Sequence, residues 1–393
     1  MPKQLYAHRG IRHLVLVRAL CAALVLGVPT ACSPTQADLR AVTYAPQVQS
    51  DWPVSTPAGE GLDPMLVAEF VYDAGALKTL YGLAVVKNDK LIAEKYFNGS
   101  SIDDANDRMS ATKSVVSALT GLAIQRGCLP SIDQKVLDYF PEYAEQLRGQ
   151  GKANVTVRDL LEMRAGYPWE ENEPPYADLL YFKAQHNWLP RMVEFPLTHP
   201  GKFGYSNLTS HILGVVVARA CKTELPLFAQ KHLFGPMGAE VANWHRAADG
   251  YHFGAFGLFI TLREMAKFGS VYMHSGQYRG KQLIAPEWVK ASLQSYSTGI
   301  NFTGIFSSWL GKYFRDLGYG YQWWSARVAA HQFDFAWGHG GNLIVLLHDL
   351  NTSIVTAADP LYDSPGELGW SREGAIIDTV GKFIESLPPA TDS

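Results

Sequence analysis

The segment Ser110-Ala111-Thr112-Lys113 begins a helical pattern, in which apolar residues recur at steps of three and four until Gly127 ends it. Three residues along a helix place Lys113 one turn above Ser110 on the same face, where an amine can accept the hydroxyl proton. The unpaired N–H groups and the positive end of a helix start also favour a developing alkoxide or oxyanion. The spacing therefore predicts a serine nucleophile that a neighbouring lysine activates.

This motif is short, and chance supplies about one serine with a lysine three residues later in a chain of ordinary composition. Two further segments support the functional interpretation. The first, Tyr205-Ser206-Asn207, follows the turn-forming Pro200-Gly201 and precedes a helical pattern that runs to Ala220. A tyrosine beside a lysine can relay a proton, and an asparagine amide can bind a substrate carbonyl or hold the lysine in place. The alternative is a buried tyrosine bonded to backbone and an asparagine that caps the helix.

The second supporting segment is Trp337-Gly338-His339-Gly340-Gly341-Asn342, which leads into a predicted strand. Glycines at a strand start let another backbone or a ligand approach closely, and the N–H group after them can donate to an oxyanion. The alternative is a turn with a surface histidine. The three segments together, in this order, are far less frequent by accident than any one of them.

Strand patterns lie on both sides of the helical patterns. Residues 80–86 and 91–97 are apolar and β-branched around a turn at Asn88-Asp89, which predicts a hairpin. Residues 343–347 and 354–357 form a second pair of strands near the end of the chain. This order predicts an α+β fold, in which helices flank an antiparallel sheet and a mostly helical middle forms a second lobe.

The composition limits the function classes. With 393 residues, 47% of them apolar and 18% charged, the chain can bury a large core. A net charge of −3 and a pI near 6.5 provide no basic surface for nucleic acid or an anionic membrane. We therefore expect a small, roughly neutral substrate or a peptidoglycan fragment. The 12% aromatic content suits a pocket lined with rings as well as a core.

The N-terminal residues 1–31 have the pattern of a secretory signal peptide, because basic residues precede a short apolar stretch at 19–28. That stretch is much shorter than the roughly 20 residues of a membrane-spanning helix. Thr30-Ala31-Cys32 has the small residues that precede a lipidated cysteine, so a lipid anchor at Cys32 stays open as the one contact with a membrane. The mature protein is then periplasmic or attached to the cell envelope.

Residues 32–60 are rich in Pro, Ser, Thr and Gly without periodicity, which predicts a flexible linker. The folded domain is predicted over 61–385, with a sheet lobe at about 61–109 and 255–385 and a helical lobe at about 110–254.

The folded domain contains two cysteines, Cys128 and Cys221. Two cysteines do not form a disulfide framework, and each lies in an apolar, helix-like context that favours a small buried thiol. Pairing in an oxidising compartment stays open. No spacing of His, Cys, Asp or Glu residues suggests a metal, and no cofactor motif is present.

These segments together resemble the serine β-lactamase and penicillin-binding superfamily. The resemblance is to the branch that holds class C β-lactamases, D-Ala-D-Ala carboxypeptidases, related esterases and 6-aminohexanoate-dimer hydrolases. That branch has Y-x-N where this chain has Tyr205-Ser206-Asn207, and its β-lactamases have K-T-G where this chain has His339-Gly340-Gly341. The similarity extends over residues 60–385 and includes 136–141, 156–166, 257–269, 280–288 and 319–324.

The resemblance implies a role for each motif residue. Ser110 would be acylated, and Lys113 would be the general base or the cation that keeps Tyr205 ionised. Tyr205 would activate Ser110 or protonate the leaving group, and Asn207 would position the substrate. The Gly340-Gly341 segment would line the substrate and oxyanion site, with His339 touching the substrate or the Tyr205 side. The backbone N–H groups of Ser110 and Asn342 would form the oxyanion hole.

Departures from the family pattern bear on the substrate. A histidine is a weaker, partly charged substitute for the K-T-G lysine that helps bind penicillin carboxylates. The deacylating glutamate pattern of class A enzymes is absent, so Glu170, Glu171 and Glu173 are predicted to form a solvated rim. Aromatic residues near the motifs are candidates for the pocket wall, with simple packing as an equal alternative: Tyr167, Trp169, Tyr321, Trp324 and Trp337.

Three functions follow as hypotheses. The favoured one is a serine hydrolase that acts through an acyl-enzyme on esters or small amides, such as 6-aminohexanoate dimer. The second is a class C-type β-lactamase or D-Ala-D-Ala carboxypeptidase that acts on cell-wall stems. The third is a sensor that binds a ligand on the same scaffold without catalysis, against which the intact motif residues argue.

Overall fold

The computed structural model of the protein describes residues 33–170, 187–302, 310–359 and 367–389, with side chains from Arg372 onward in the last range. The predicted signal peptide and Cys32 lie outside these ranges. Among the helices within them, none combines the length and apolar character needed to cross a membrane.

The centre of the molecule is an eight-stranded antiparallel sheet with the order β2-β1-β13-β12-β11-β10-β9-β8. Because β1 and β2 precede the helical middle of the chain and the other six strands follow it, both ends of the chain complete the sheet. The described strands are β1 (Leu80–Lys87), β2 (Lys90–Tyr96), β3 (Asn106–Asp107), β4 (Asn243–Trp244), β5 (Leu258–Ile260), β6 (Gln277–Tyr278), β7 (Lys281–Gln282), β8 (Ser297–Ile300), β9 (Arg315–Tyr319), β10 (Trp324–Val328), β11 (His331–Gly338), β12 (Asn342–Leu347) and β13 (Thr352–Ala358).

The first hairpin forms at the predicted turn. Asn88 and Asp89 have φ values of 50° and 63°, so both central turn residues adopt the left-handed conformation that Asn and Asp tolerate. Its strands β1 and β2 pair with Lys87 opposite Lys90. The second predicted pair of strands forms β12 and β13, with Leu347 opposite Thr352.

Helices cover both faces of the sheet, and the predicted helices that begin after Ser110 and at Asn207 are present as α3 and α7. The described α-helices are α1 (Gln36–Arg40), α2 (Pro64–Ala74), α3 (Ala111–Gln125), α4 (Ala144–Gly149), α5 (Val157–Leu161), α6 (Arg191–Glu194), α7 (Asn207–Cys221), α8 (Leu225–Ala229), α9 (Leu262–Met273), α10 (Pro286–Leu293) and α11 (Glu367–Ser386).

Two apolar clusters lie on opposite sides of the sheet. The first joins α3, α7 and α9 to one face of the strands. The second joins α2 and α11 to the other face, where the rings of Phe70 and Phe383 stack with centroids 4.4 Å apart. Burial of these two faces is the main stabilising term of such a fold. The α+β prediction, with an antiparallel sheet flanked by helices, is confirmed.

Part of the predicted linker is packed against the folded domain. Trp52 is 5% exposed and its indole donates to Asp89 O over 2.9 Å. The buried guanidinium of Arg263 donates to Asp51 and to the backbone oxygen of Gln47, so a cation of α9 holds this segment. These contacts correct the prediction of a flexible linker over 32–60. Composition alone does not reveal that an irregular segment covers a sheet edge.

Cys128 and Cys221 form a disulfide with their Cα atoms 5.0 Å apart. The favoured interpretation of two small buried thiols is therefore wrong, and the pairing that was left open is present. Cys221 is the last residue of α7, and Cys128 follows the end of α3. The bond consequently ties these two helices together at the ends remote from Ser110 and Asn207.

Candidate active site

Ser110 lies at the start of α3, after a turn that is held by a partly buried carboxyl group. Met109, directly before it, has a φ of 48°, which is a costly conformation for a residue with a side chain. Asp107 Oδ1 accepts from the backbone N–H of Met109 over 2.8 Å and from that of Gly257 over 2.9 Å. Burial raises the pKa of Asp107 above its ordinary value. The turn fixes the direction in which Ser110 leaves the backbone.

Lys113 occupies the centre of the site and is 1% exposed. Its Nζ lies 2.8 Å from Ser110 Oγ and 2.8 Å from Asn207 Oδ1. It also donates to Ala255 O over 3.1 Å, and it lies 4.7 Å from the centre of the Tyr205 ring. The predicted one-turn spacing therefore gives direct contact. An amine held here can exchange a proton with Ser110 without any backbone movement.

The segment of residues 203–208 that carries Tyr205 and Asn207, here called the tyrosine wall, lies across the start of α7. Ser206 caps that helix, since its Oγ accepts from the N–H of Thr209 over 3.2 Å. The capping role that was considered for Asn207 thus belongs to Ser206, and the Asn207 amide is left to hold Lys113. Tyr205 is 6% exposed.

Residues 337–342, here called the histidine wall, form the turn between β11 and β12. A Cβ atom on Gly338 would lie 2.1 Å from the backbone oxygen of Arg108 and 3.2 Å from the N of Ala111. Only glycine allows this approach, so β11 ends in contact with the turn around Ser110. The sequence predicted that a glycine here lets another backbone or a ligand approach, and the approaching group is the backbone of Arg108 and Ala111.

Asn342 is fully buried, and its side chain faces structural partners. Its Oδ1 accepts from Arg108 over 3.1 Å and from the N–H of Ala358 over 3.1 Å, and its Nδ2 donates to His339 O over 3.0 Å. Burial lowers the pKa of Arg108 to about 10. The side chain of Asn342 therefore locks the turn to the residues before Ser110, and the oxyanion role of its backbone N–H stays a prediction.

Glu373 on α11 organises the rest of the histidine wall, and sequence reasoning missed it. Its fully buried carboxylate lies 2.6 Å from His339 Nδ1 and accepts from the N–H of Gly340 over 3.0 Å. It also accepts from the indole of Trp337. Indole and amide N–H groups are donors only, so the carboxylate is best satisfied when His339 carries its proton on Nδ1. The alternative of a surface histidine is wrong, since this side chain is 9% exposed.

Glu170 is a second buried carboxyl group, and its prediction as part of a solvated rim is wrong. It is fully buried and accepts from Ser206 Oγ over 2.8 Å and from the N–H groups of Asn207 and Leu208 over 2.9 Å each. Burial raises the pKa of Glu170 to about 7, against the opposing effect of these hydrogen bonds. Glu171 and Glu173 lie outside the described residues.

Three of the five predicted wall aromatics gather around Tyr205. The ring of Trp169 lies 5.9 Å from that of Tyr205, and the ring of Trp324 lies 5.5 Å from it. Trp337 lies 5.6 Å from Trp324, and Phe302 contacts both Trp169 and Trp337. This aromatic cluster adjoins the centre of the site, and its contact with substrate stays a prediction.

The other two aromatics are engaged in packing. The hydroxyl of Tyr167 donates to Met192 O over 3.0 Å in the core. The ring of Tyr321 stacks on Tyr296 with centroids 4.9 Å apart, and Arg158 donates to its hydroxyl. For Tyr167 and Tyr321, the structure therefore agrees with the alternative of simple packing. Among the described residues, no group of His, Cys, Asp and Glu side chains has the arrangement of a metal site.

The sequence model of the beta-lactamase family matches residues 75–361. The chain belongs to the beta-lactamase family. Family members are in general hydrolases, and the family assignment agrees with the motif order S-x-x-K, Y-x-N and H-G-G. The resemblance that was inferred from those motifs is therefore confirmed.

Known members of the beta-lactamase family resemble this chain at low identity. A 6-aminohexanoate-dimer hydrolase of Paenarthrobacter ureafaciens is 24% identical over 323 residues, which are 77% of this chain and 78% of the relative. A proposed 6-aminohexanoate-dimer hydrolase from Bacillus anthracis matches with a TM-score of 0.64 and 19% identity, covering 81% of this chain and 83% of that one. A class C beta-lactamase from Rhodobacter sphaeroides matches with a TM-score of 0.55 and 16% identity, covering 80% and 97%. The structural matches support the fold alone.

Proposed function

We propose that the protein is a serine hydrolase that cleaves esters or small amides through an acyl-enzyme on Ser110. The observation that carries this proposal is the position of Lys113 Nζ, which lies 2.8 Å from both Ser110 Oγ and Asn207 Oδ1 in a buried site. A serine hydroxyl needs such a base to act as a nucleophile at neutral pH. Membership of a generally hydrolytic family supports the same reaction class.

In the proposed reaction, Ser110 Oγ attacks the carbonyl carbon while its proton passes to the Lys113 and Tyr205 pair. The tetrahedral oxyanion is stabilised by N–H groups at the start of α3 and in the histidine wall. The C–O or C–N bond then breaks, and Tyr205 returns the proton to the departing alcohol or amine. Water attacks the acyl ester by the reverse path, which releases the carboxylic acid and restores the Ser110 hydroxyl.

The substrate class follows from the two walls. His339 replaces a permanently charged lysine, which weakens the case for a penicillin carboxylate and favours uncharged esters and amides. The aromatic cluster of Trp169, Trp324 and Trp337 suits an apolar acyl or leaving chain. The similarity to a 6-aminohexanoate-dimer hydrolase is a separate argument, which supports a small linear amide whose two ends carry an ammonium and a carboxylate group.

We also propose that the protein is exported. The basic residues and short apolar stretch before residue 31 support a secretory signal. The disulfide between Cys128 and Cys221 supports an oxidising compartment, since such bonds are rare in reducing cytosol. Fractionation of cells, with the disulfide assayed by thiol labelling in each fraction, tests this proposal. A reduced protein confined to the cytoplasm would contradict it.

The proposed reaction is tested by intact mass and product release with a short-chain p-nitrophenyl ester, 6-aminohexanoate dimer and benzylpenicillin. Wild-type protein should turn over the ester or the amide, and S110A should not. S114A is a matched control, because Ser114 lies one turn further along α3 and donates to Gln322 O, outside the proposed chemistry. A lasting penicilloyl adduct would favour the cell-wall alternative, and no turnover or adduct with any substrate would overturn the proposal.

A further inference from the structure

Glu170 contacts the tyrosine wall at residues 206–208, and it takes no part in the proposed chemistry. Its two carboxylate oxygens accept three hydrogen bonds: Oε1 from Ser206 Oγ and the N–H of Leu208, and Oε2 from the N–H of Asn207. All three donors lie at the start of α7. The side chain is 0% exposed, so no water competes for these positions.

The negative charge of the Glu170 carboxylate lies beside the positive N-terminal end of α7. The N-terminus of a helix carries unpaired N–H groups and a partial positive charge, and α7 is 15 residues long. Within the described residues, no charged side chain pairs with Glu170, and the helix start supplies its three donors. The ionisable groups on the adjoining segments are Lys113, which contacts Asn207, Tyr205, which precedes Ser206, and the pair of Glu162 and Arg164 at the end of α5.

A continuous series of contacts joins Glu170 to the proposed nucleophile. Glu170 fixes the backbone N–H of Asn207, the side chain of Asn207 accepts from Lys113 Nζ, and Lys113 contacts Ser110 Oγ. Asn207 is 2% exposed and Lys113 is 1% exposed, so close packing transmits any displacement. Glu170 therefore holds the first turn of α7 directly and the proposed base, Lys113, through Asn207.

We infer that Glu170 is a positioning residue, whose ionised carboxylate holds the tyrosine wall at the place where Asn207 orients Lys113 toward Ser110. The inference rests on the proposed function, because it concerns the rate of the reaction at Ser110. Glu170 acts through Asn207, whose backbone it holds and whose side chain contacts Lys113.

Protonation of Glu170 would remove part of this anchor. A protonated carboxyl group must place a hydrogen on one oxygen, and of its three neighbours only the Ser206 hydroxyl can turn to accept it, so at least one of the three hydrogen bonds reverses or is lost. The interaction of a negative charge with the positive end of α7 is lost at the same time. Acidification should therefore change the hydrogen bonds at the first turn of α7 and slow the reaction, in addition to any direct titration of Lys113 or Tyr205.

The test compares the pH dependence of kcat for wild type and E170Q, using the short-chain p-nitrophenyl ester from pH 5 to 9. The glutamine presents a donor where the carboxylate had an acceptor, so kcat at pH 8 should fall about 10- to 100-fold, as expected for misplaced catalytic groups. Its profile should also lack the fall in kcat below pH 7 that Glu170 produces in the wild type. KM should change by less than about threefold, since the substrate contacts remain.

E162Q is the matched control for a buried carboxyl group. Glu162 is 6% exposed and pairs with Arg164, away from the start of α7. It should keep the wild-type profile. Thermal unfolding of E170Q at pH 8 verifies that the variant is folded. Rapid labelling of Ser110 distinguishes an intact active site that reacts slowly from a site that has lost its structure.

The outcomes separate this inference from the proposed function. Wild-type turnover together with an E170Q profile of the same height and shape would overturn the inference alone. Equal losses in E162Q and E170Q would also overturn it, because a general effect of buried carboxyl groups would then explain them. A wild-type protein without Ser110-dependent turnover would overturn the proposed function and the inference with it.

Discussion

Two buried glutamates support the two walls of the site in different ways. Glu170 in the tyrosine wall bonds mainly to the backbone of a helix start, and it fixes the segment that holds Lys113. Glu373 in the histidine wall bonds to two side chains, the indole of Trp337 and the imidazole of His339, and to one amide. We propose that the first arrangement fixes the position of Lys113 and that the second orients groups predicted to meet the substrate. We therefore expect loss of Glu170 to lower kcat and loss of Glu373 to raise KM.

The largest effect on stability should come from the disulfide, which ties α7, the helix that begins in the tyrosine wall, to α3. Cys128 and Cys221 close a loop across 93 residues, and the chain-entropy model assigns such a loop about 4–5 kcal/mol of unfolding free energy. The C128S/C221S variant should lose most of that stability. Urea unfolding at one pH measures it.

The same variant sharpens the comparison of the walls. If α3 and α7 shift relative to each other, kcat should fall more than KM rises, because Ser110 and Asn207 lie at their starts. Wild-type protein in reductant is the control for the serine substitutions. A variant as stable as wild type would contradict the account of the two tied helices.

The next largest effect is the pH dependence that Glu170 gives to the free energy of unfolding. Its pKa is about 7 in the folded protein against an ordinary value of 4.5, so between these values the folded state holds a proton that the unfolded state lacks. The contribution of Glu170 to stability is therefore full at acid pH and is lost as the pH rises past 7. This difference amounts to about 3 kcal/mol.

Urea unfolding at pH 5 and pH 8 checks the predicted direction of this pH dependence. The free energy of unfolding of wild type minus that of E170Q should be smaller at pH 8 than at pH 5. E145Q, at an exposed site of α4, should show the same pH dependence as wild type. Equal shifts in all three proteins would contradict it. The ionised form that the inferred positioning role of Glu170 requires is thus the form that weakens the fold.

The smallest effect should appear at the histidine wall. In E373Q, the glutamine amide can donate to His339 Nδ1, which moves the imidazole proton to Nε2. Loss of one charge-assisted hydrogen bond corresponds to a KM rise of about tenfold, and kcat should stay within about threefold. E385Q, at an exposed position of the same helix, serves as the control. A fall in kcat with unchanged KM would reverse the comparison of the two walls.

Local patterns in the sequence predicted the elements that local physics determines. The Asn88-Asp89 turn, the helix after Ser110 and the one-turn contact of Lys113 depend on residues close to one another in the chain. Glu373 was missed, and Glu170 was wrongly assigned to a solvated rim, because their partners lie 33 to 38 residues away in sequence. Nothing in the composition around Glu170 distinguishes a buried acid from a solvated one.

The cysteine pair shows the same limit, since a separation of 93 residues carries no signal of proximity. The segment around Trp52 shows it in another form. Its composition is that of a linker, and its order depends on Arg263, which lies 212 residues beyond Asp51. Long-range packing decided each of these features.

The most direct test of the account is to map the acyl-enzyme. Wild type and S110A are mixed with the p-nitrophenyl ester, quenched in acid within the first turnover, digested and analysed by peptide mass. The account predicts the acyl mass on the peptide that contains Ser110 in wild type and its absence in S110A. An acyl group on another residue, or turnover in S110A at the wild-type rate, would contradict it.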